Sequence, residues 1–297
     1  MENTSLTIIK NNIQNEIKND LDRLAIHYRL HSRIKTIDSL EEKITTKGAG
    51  YYSIEGKKVQ DVIGFRITTY FIDDVKLLWD YFLKKFEEVS KEYDVATADI
   101  FKPLRKNLTC RMAESNSLIF NESKTKYTAL EFVDNTFEIQ FRTTLSEGWH
   151  EVDHALRYKC KGDWNGYMDE DRMLNGIFAS LETSDKALKA LFDDMSYNHY
   201  KCKNWEAMLR MKFRLNFEKK TLNDSIIKIF NNNNEIAKKV FRYNRTDLLQ
   251  KIAVSGLYMK VSFDNLVFLI NYIAVNNSDL NDITPEMILD EFKITAI

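Results

Sequence analysis

Lys58-Val-Gln-Asp-Val-Ile-Gly-Phe-Arg-Ile-Thr-Thr-Tyr-Phe71 is the stretch on which the fold turns. Its β-branched and aromatic run, entered through the turn-prone Glu55-Gly56, predicts a buried strand. With Val59, Ile63, Phe65 and Ile67 as the apolar set, strict alternation places Asp61 and Arg66 on opposite faces. A bulge at Gly64 would turn both into one cleft. Such a carboxylate and arginine are as readily a structural ion pair as a functional one.

Outward from this strand the pattern alternates between sheet and helix. Thr128–Val133 and Thr136–Arg142 are expected strands, joined by a tight hairpin turn at Asp134-Asn135. Ile8, Ile9, Ile13, Ile17, Leu21, Leu24 and Ile26 recur at helical spacing, predicting one long amphipathic helix or two between Thr7 and Lys47. Val75, Leu78, Trp79, Phe82 and Phe86 predict another over Asp73–Tyr93, and Leu145–Leu215 is helical again. The class is therefore α+β, a mixed sheet flanked by helices.

After Trp205 asparagine becomes frequent, and the sets Ile226/Ile227/Phe230 and Leu266/Phe268/Leu269/Tyr272 predict a bundle of short helices, Pro285 starting the last. The run Asn231–Asn234 reads as a loop between helices. The expected organisation is one domain over 1–205 and an all-helical accessory region over 206–297.

Composition narrows the functional classes. The chain has 297 residues, 44% hydrophobic and 29% charged, as in a soluble globular protein. Lys+Arg (43) and Asp+Glu (44) nearly cancel to a net charge of −1, which excludes a polybasic nucleic-acid coat; a nucleotide site must be built from local patches. Cys110, Cys160 and Cys202 lack the spacing of a disulfide framework or zinc knuckle. The N-terminal residues hold no apolar signal region, and Leu266–Val275 falls short of the ~20 residues of a membrane span, so a cytoplasmic location without a membrane partner is expected.

Three clusters carry chemistry. Arg33, Lys35, Ser39 and Lys43 place cations at a helix end or the loop after it, where they can hold a polyphosphate; the plain alternative is a solvated basic face. Asp61, Gly64 and Arg66 form the second cluster. In the third, Glu138, Gln140 and Arg142 alternate with Ile139 and Phe141, so an acceptor, an amide and a cation share one strand face, suited to Mg²⁺ and a nucleotide. His150-Glu-Val-Asp-His154 formally fits the zinc H-E-x-x-H pattern, but only His199 lies downstream as a third ligand, and the flanking motifs account better for this helix.

Taken in order, these clusters resemble the RelA/SpoT-type alarmone synthetase domain over about residues 20–200. Arg33, Lys35, Ser39 and Lys43 match R-x-K-x-x-x-S-x-x-x-K; Asp61, Gly64 and Arg66 match D-x-x-G-x-R; Glu138 to Thr143 match E-I-Q-x-R-T, followed by His154, Tyr158 and Lys159. The resemblance implies a nucleotidyltransferase-like synthetase domain that moves the β,γ-pyrophosphate of ATP to the 3′-hydroxyl of GDP or GTP, making (p)ppGpp. It implies that Arg33 and Arg66 sandwich adenine, that Lys35, Ser39 and Lys43 hold phosphates, and that Asp61 and Glu138 bind Mg²⁺, with Glu138 also near the attacking hydroxyl. Gln140, Arg142 and His154 fall on the acceptor side.

No His-Asp dipeptide occurs, so the resemblance is to the synthetase-only form, without a hydrolase half. The departure is in the acceptor motif G-Y-x-S/A-L/I-H, here Lys126-Tyr127-Thr128-Ala129-Leu130-Glu131. Tyr127 keeps a face for a base, but Glu131 replaces an imidazole with a carboxylate that repels phosphate. Lys102, Arg105, Lys106 and Arg111 lie just upstream. Toxic and phage-defence relatives pyrophosphorylate the 3′ CCA end of tRNA or use adenine nucleotides, so tRNA is an alternative acceptor, with Arg210, Lys212, Arg214, Lys219 and Lys220 as a possible contact face. A catalytically inactive nucleotide sensor is the reading of another class, opposed by the retention of both Asp61 and Glu138. The C-terminal helices would serve a homo-oligomer or a regulatory protein.

Overall fold

A computed structural model describes residues 4–48, 50–95, 105–218, 221–257 and 259–295. Lys102, Lys219 and Lys220 lie outside the described residues. The elements run α1 (Thr4–Leu24), β1 (Tyr28–Ile34), α2 (Ile37–Thr46), β2 (Ile63–Thr69), α3 (Ile72–Lys85), β3 (Glu88–Tyr93), β4 (Lys106–Arg111), α4 (Glu114–Lys124), β5 (Thr136–Thr143), α5 (Thr144–Asp153) and α6 (Met168–Lys201). Seven short helices follow: α7 (Trp205–Phe213), α8 (Asp224–Asn232), α9 (Asn234–Arg242), α10 (Arg245–Ser255), α11 (Phe263–Ile270), α12 (Ser278–Asp282) and α13 (Glu286–Ile294). This is the expected α+β class, a mixed five-stranded sheet flanked by helices and followed by a helical C-terminal region.

The chain divides into two compact units. The first takes Met1–Lys18, Tyr28–Tyr70 and Leu78–Glu182; the second takes Asn19–His27, Phe71–Leu77 and Thr183–Ile297.

In the first unit the strand order is β1-β2-β5-β4-β3. Only β2 and β5 are parallel, which requires the long crossover through α3, β3, β4 and α4 between them. Strand alternation sorts the residues into two faces. On one, Ile63, Phe65 and Ile67 of β2, Phe137, Ile139 and Phe141 of β5 and Leu108 of β4 are all buried. Trp79 and Phe82 of α3 cover Phe141 at ring distances of 5.7 and 6.2 Å, and Phe86 meets Phe137 at 5.2 Å. Each such aromatic contributes about 1.5–3 kcal/mol by burial. The other face carries His31 and Arg33, Gly64 and Arg66, Glu138, Gln140 and Arg142, Asn107 and Thr109. The candidate site lies on this polar face.

Four expectations are corrected. Tyr28–Ile34 is an edge strand inside the stretch read as helix, because its residues alternate in burial along the edge of β2, which the i, i+4 count alone does not detect. The helix over Asp73–Tyr93 stops at Lys85 and gives way to β3, with β4 as its partner. Thr128–Phe132 is a short 3₁₀ turn rather than a strand: Ala129, Leu130 and Val133 are buried at helical intervals. Asp134-Asn135 therefore makes no hairpin; β5 lies between β2 and β4. Finally, β2 starts at Ile63 and its pairing is continuous through Gly64, so no bulge forms and Asp61 stands before the strand.

The second unit explains the asparagines. Asn204, Asn223, Asn233, Asn244 and Asn277 each accept a backbone N–H at the start of α7, α8, α9, α10 and α12. Short helices have a large share of end groups, and asparagine is among the best residues to satisfy them. The run Asn231–Asn234 ends α8, caps α9 and begins it, leaving Asn233 alone outside a helix. Pro285 directly precedes α13, as expected. Among the described residues no helix is long and apolar enough to cross a membrane.

Candidate active site

Asp61 is fixed by the chain on either side of it. Val59 pairs with Val133, its N–H reaching Phe132 O at 2.8 Å, and Thr136 Oγ1 holds Gln60 O at 2.9 Å. The Lys35 N–H donates to Val62 O at 2.8 Å, which brings the β1–α2 connection beside the same segment. Thr36 then caps α2 through Ser39 N, and one turn later Lys43 projects back toward Asp61. Lys35 Nζ and Lys43 Nζ each donate to one Asp61 oxygen at 2.8 Å. Burial alone would raise the Asp61 pKa, but the two lysines outweigh it and hold the carboxyl below the usual range. Burial pushes Lys35 down, Lys43 and Arg33 adding to the effect, while Asp61 keeps Lys43 above its usual value against burial.

Glu138 sits on β5 directly beside Gly64. Its pKa is raised, first by burial and further by the negative charge of Asp61; Gln140 and Arg33 oppose the shift. Gln140 Nε2 donates to Glu138 Oε2 at 2.8 Å, and Arg66 Nε donates to Gln140 Oε1 at 3.1 Å. Arg66 in turn pairs with Glu147 and Glu151 on α5. A Cβ at Gly64 would stand 3.7 Å from Arg33 Cγ and Nε, an ordinary van der Waals contact, so the Arg33 side chain lies over this point of the strand.

The structure thus brings Arg33, Lys35, Lys43, Asp61, Arg66, Glu138 and Gln140 together. Asp61 pairs with the lysines and not with Arg66, so the ion pair considered within that strand is replaced by two pairs across elements. Arg142 is buried beyond Gln140, donating to Asn107 Oδ1 at 3.2 Å and to Phe141 O; burial and Arg66 lower its pKa. Ser39 is exposed on the first turn of α2. His154 stacks on Tyr158 at 5.8 Å, its pKa lowered by burial, Lys159 and Arg33. His150 is pushed down to about 3 by burial, Arg142 and Arg66. No group of three His, Cys, Asp or Glu side chains suited to a metal occurs among the described residues. Tyr127 and Glu131 lie at the two ends of the 3₁₀ turn, Glu131 exposed and Tyr127 half-buried, with no hydrogen bond to the residues above.

Sequence reasoning missed Glu147, Glu151 and Asn107. The first two were within reach, since Thr143 and Ser146 form a capping box that starts α5 and sets Glu147 and Glu151 one turn apart on one face. Asn107 sits on a strand whose existence the pattern did not reveal.

Two carboxylates of different segments, one of them left costly to ionise chiefly by burial and further by the other, are a donor set that hard Mg²⁺ fits. Glu138 Oε1 carries no hydrogen bond among the described residues. The remaining ligands of a hard cation would come from phosphate oxygens and water.

Residues 32–163 match the family model of the region found in RelA / SpoT proteins. No curated protein matches the chain. The solved structures it resembles include a GTP pyrophosphokinase family protein from Streptococcus pneumoniae, at 19% identity over 64% of this chain and 90% of that one, with a TM-score of 0.46. Small alarmone synthetase 1 from Bacillus subtilis bound to its product pppGpp matches at 20% identity over 63% and 94%, with a TM-score of 0.45. Small alarmone synthetase 2 from Bacillus subtilis matches at 19% identity over 64% and 96%, with a TM-score of 0.44.

Proposed function

From the premise that residues 32–163 form a RelA/SpoT-type domain, we propose that this chain is a pyrophosphotransferase that moves the β,γ-pyrophosphate of ATP to the ribose 3′-hydroxyl of GDP or GTP. The observation that carries the reading is that Asp61, held by Lys35 and Lys43, acts electrostatically on the buried Glu138 carboxyl, with Arg33 opposing it. In this reading 1–205 is the synthetase region and 206–297 an accessory one.

Lys35 and Lys43 exchange Asp61 for the triphosphate of ATP, which releases the Asp61 oxygens. Arg33 and Arg66 flank the adenine, and the Glu147 and Glu151 carboxylates keep Arg66 in place. Asp61 and Glu138 would hold Mg²⁺, which would supply charge neutralisation to the phosphates. The acceptor base stacks on Tyr127, and its 3′-oxygen attacks the β-phosphorus in line. The new O–P bond forms as the bond to the α–β bridging oxygen breaks, AMP leaves, and the hydroxyl proton passes to Glu138.

Of the upstream cations offered for a tRNA acceptor, Arg105 pairs with Asp94 and Glu92, and Arg111 with Glu87, so two of them carry exposed acidic partners. Incubation with γ-labelled ATP and GDP, GTP, ATP or total tRNA tests the proposal. Label on GDP or GTP supports it. Label on tRNA alone overturns the acceptor, and ATP binding without transfer to any acceptor overturns the enzyme reading.

A further inference from the structure

The second unit encloses a cavity of about 390 Å³ between the C-terminal part of α6, the end of α7, the end of α9 and the start of α10. Among the described residues, five cations and two carboxylates, Asp73 and Asp193, line it. Arg214 donates to Asp73 at 2.6 Å and to Asp193 at 2.9 Å, and Asp193 also holds Lys189 at 2.6 Å. Arg245 donates to Asp73 at 3.4 Å, to the buried Asp74 behind it at 2.6 Å and to Phe213 O at 2.6 Å. Each of these carboxylates thus has at least one oxygen paired with Arg214, Arg245 or Lys189. Lys212 and Arg242 line the same cavity with no carboxylate partner among the described residues.

The two arginines are themselves under-satisfied. Their side chains are only 3% and 6% exposed, yet Arg214 Nε and Arg245 Nη2 have no hydrogen-bond partner. Asp73 Oδ1 and Asp74 Oδ2 are also unpartnered, so the acids present do not geometrically complete the guanidinium forks. Satisfied only in part by their acids, both guanidinium groups keep a positive field at the cavity wall, which acts on Lys212. The local field agrees: burial pushes Lys212 below the usual lysine range, Asp193 alone opposes it, and Arg214, Lys189 and Arg245 add to the depression.

We propose that this cavity is a binding site for a phosphate-class oxyanion, free or as the phosphate of a small molecule, held by Lys212, Arg242, Arg214 and Arg245. The planar arginine donors suit tetrahedral oxyanions, and Lys212 and Arg242, which form no ion pair among the described residues, provide the charge that the internal carboxylates leave over. Every lining residue belongs to the second unit, and the site takes no part in the transfer reaction proposed above.

Titration calorimetry of the full chain with inorganic phosphate, pyrophosphate and AMP tests this. Lys212→Ala/Arg242→Ala breaks no ion pair, so the fold survives, and circular dichroism melts verify it. Because the polyphosphate cations of the first unit would also bind such anions, Lys35→Ala/Lys43→Ala is the control. The expected result is binding that persists in the control and weakens at least roughly tenfold in the cavity variant. Tightest binding by AMP would identify a nucleotide phosphate as the source, and tightest binding by phosphate or pyrophosphate a free anion. Binding lost in the control and kept in the cavity variant overturns the site, as does no binding of any of the three anions to the wild type. Since the readout is binding, failure to transfer pyrophosphate would leave this result intact.

Discussion

At Glu138 the fold holds a carboxyl group where its ionised form is disfavoured, chiefly by burial and then by Asp61. Two predictions follow from that position. Glu138→Gln and Asp61→Asn each lower labelled-pyrophosphate transfer, by about 10²–10⁴-fold for loss of a proton acceptor at Glu138, while circular dichroism stays native; near-normal transfer by either folded variant would remove these residues from the reaction. The second prediction concerns stability. A carboxyl whose folded pKa is raised stabilises the fold below its unfolded pKa, and that contribution is lost as pH rises through the folded value. At pH 7 Glu138 is therefore a burden to the fold in the absence of substrate. Glu138→Gln should melt above wild type at pH 7, and the gain should vanish near about pH 4. Calorimetric melts at the two pH values decide it; equal melting temperatures at pH 7 would mean that Glu138 is not held against its charge.

The elements that set this geometry are short and locally weak. β1 is an edge strand of seven residues, and Arg33 sits beside Gly64 only because the antiparallel register pairs them. β5 lies between two strands distant in sequence, so Glu138 meets Gly64 and Asp61 through tertiary pairing alone. α5 is different, because its start is written locally: Thr143 Oγ1 accepts from Ser146 N at 3.1 Å and Ser146 Oγ accepts from Thr143 N at 3.0 Å. Thr143→Ala should cost about 0.5–2 kcal/mol in urea unfolding. Since α5 carries the carboxylates that hold Arg66, the same change should raise the KM for ATP more than it lowers kcat. An unchanged KM would show that Arg66 does not depend on the helix start. Gly64, read as a bulge, lies in continuous pairing with both neighbouring strands instead.

Across the whole molecule, the buried charges are concentrated in the second unit, where Asp74 is fully buried against Arg245. Arg245→Met leaves that acid without its partner, at a cost of about 3–5 kcal/mol. Burial already raises the Asp74 pKa, so in the variant it takes a proton readily and the cost should be smaller at pH 5 than at pH 8. Urea unfolding of Arg245→Met and of Arg245→Met/Asp74→Asn measures this; no recovery in the double variant would place the loss in packing rather than charge. What the sequence determined by itself were the properties carried by near neighbours: the strands at Phe65 and Ile139, the long helical tracts, and the order of Arg33, Asp61 and Glu138 along the chain. Asparagine frequency was legible, but its meaning as a set of helix caps was not, because a cap is defined by where the helix begins. Only the tertiary structure decided that Tyr28–Ile34 and Lys106–Arg111 are strands, that Lys35 and Lys43 hold Asp61, and that Arg66 answers to Glu147 and Glu151. Edge strands and long-range ion pairs draw their energy from partners far along the chain, and no local period or propensity records who those partners will be.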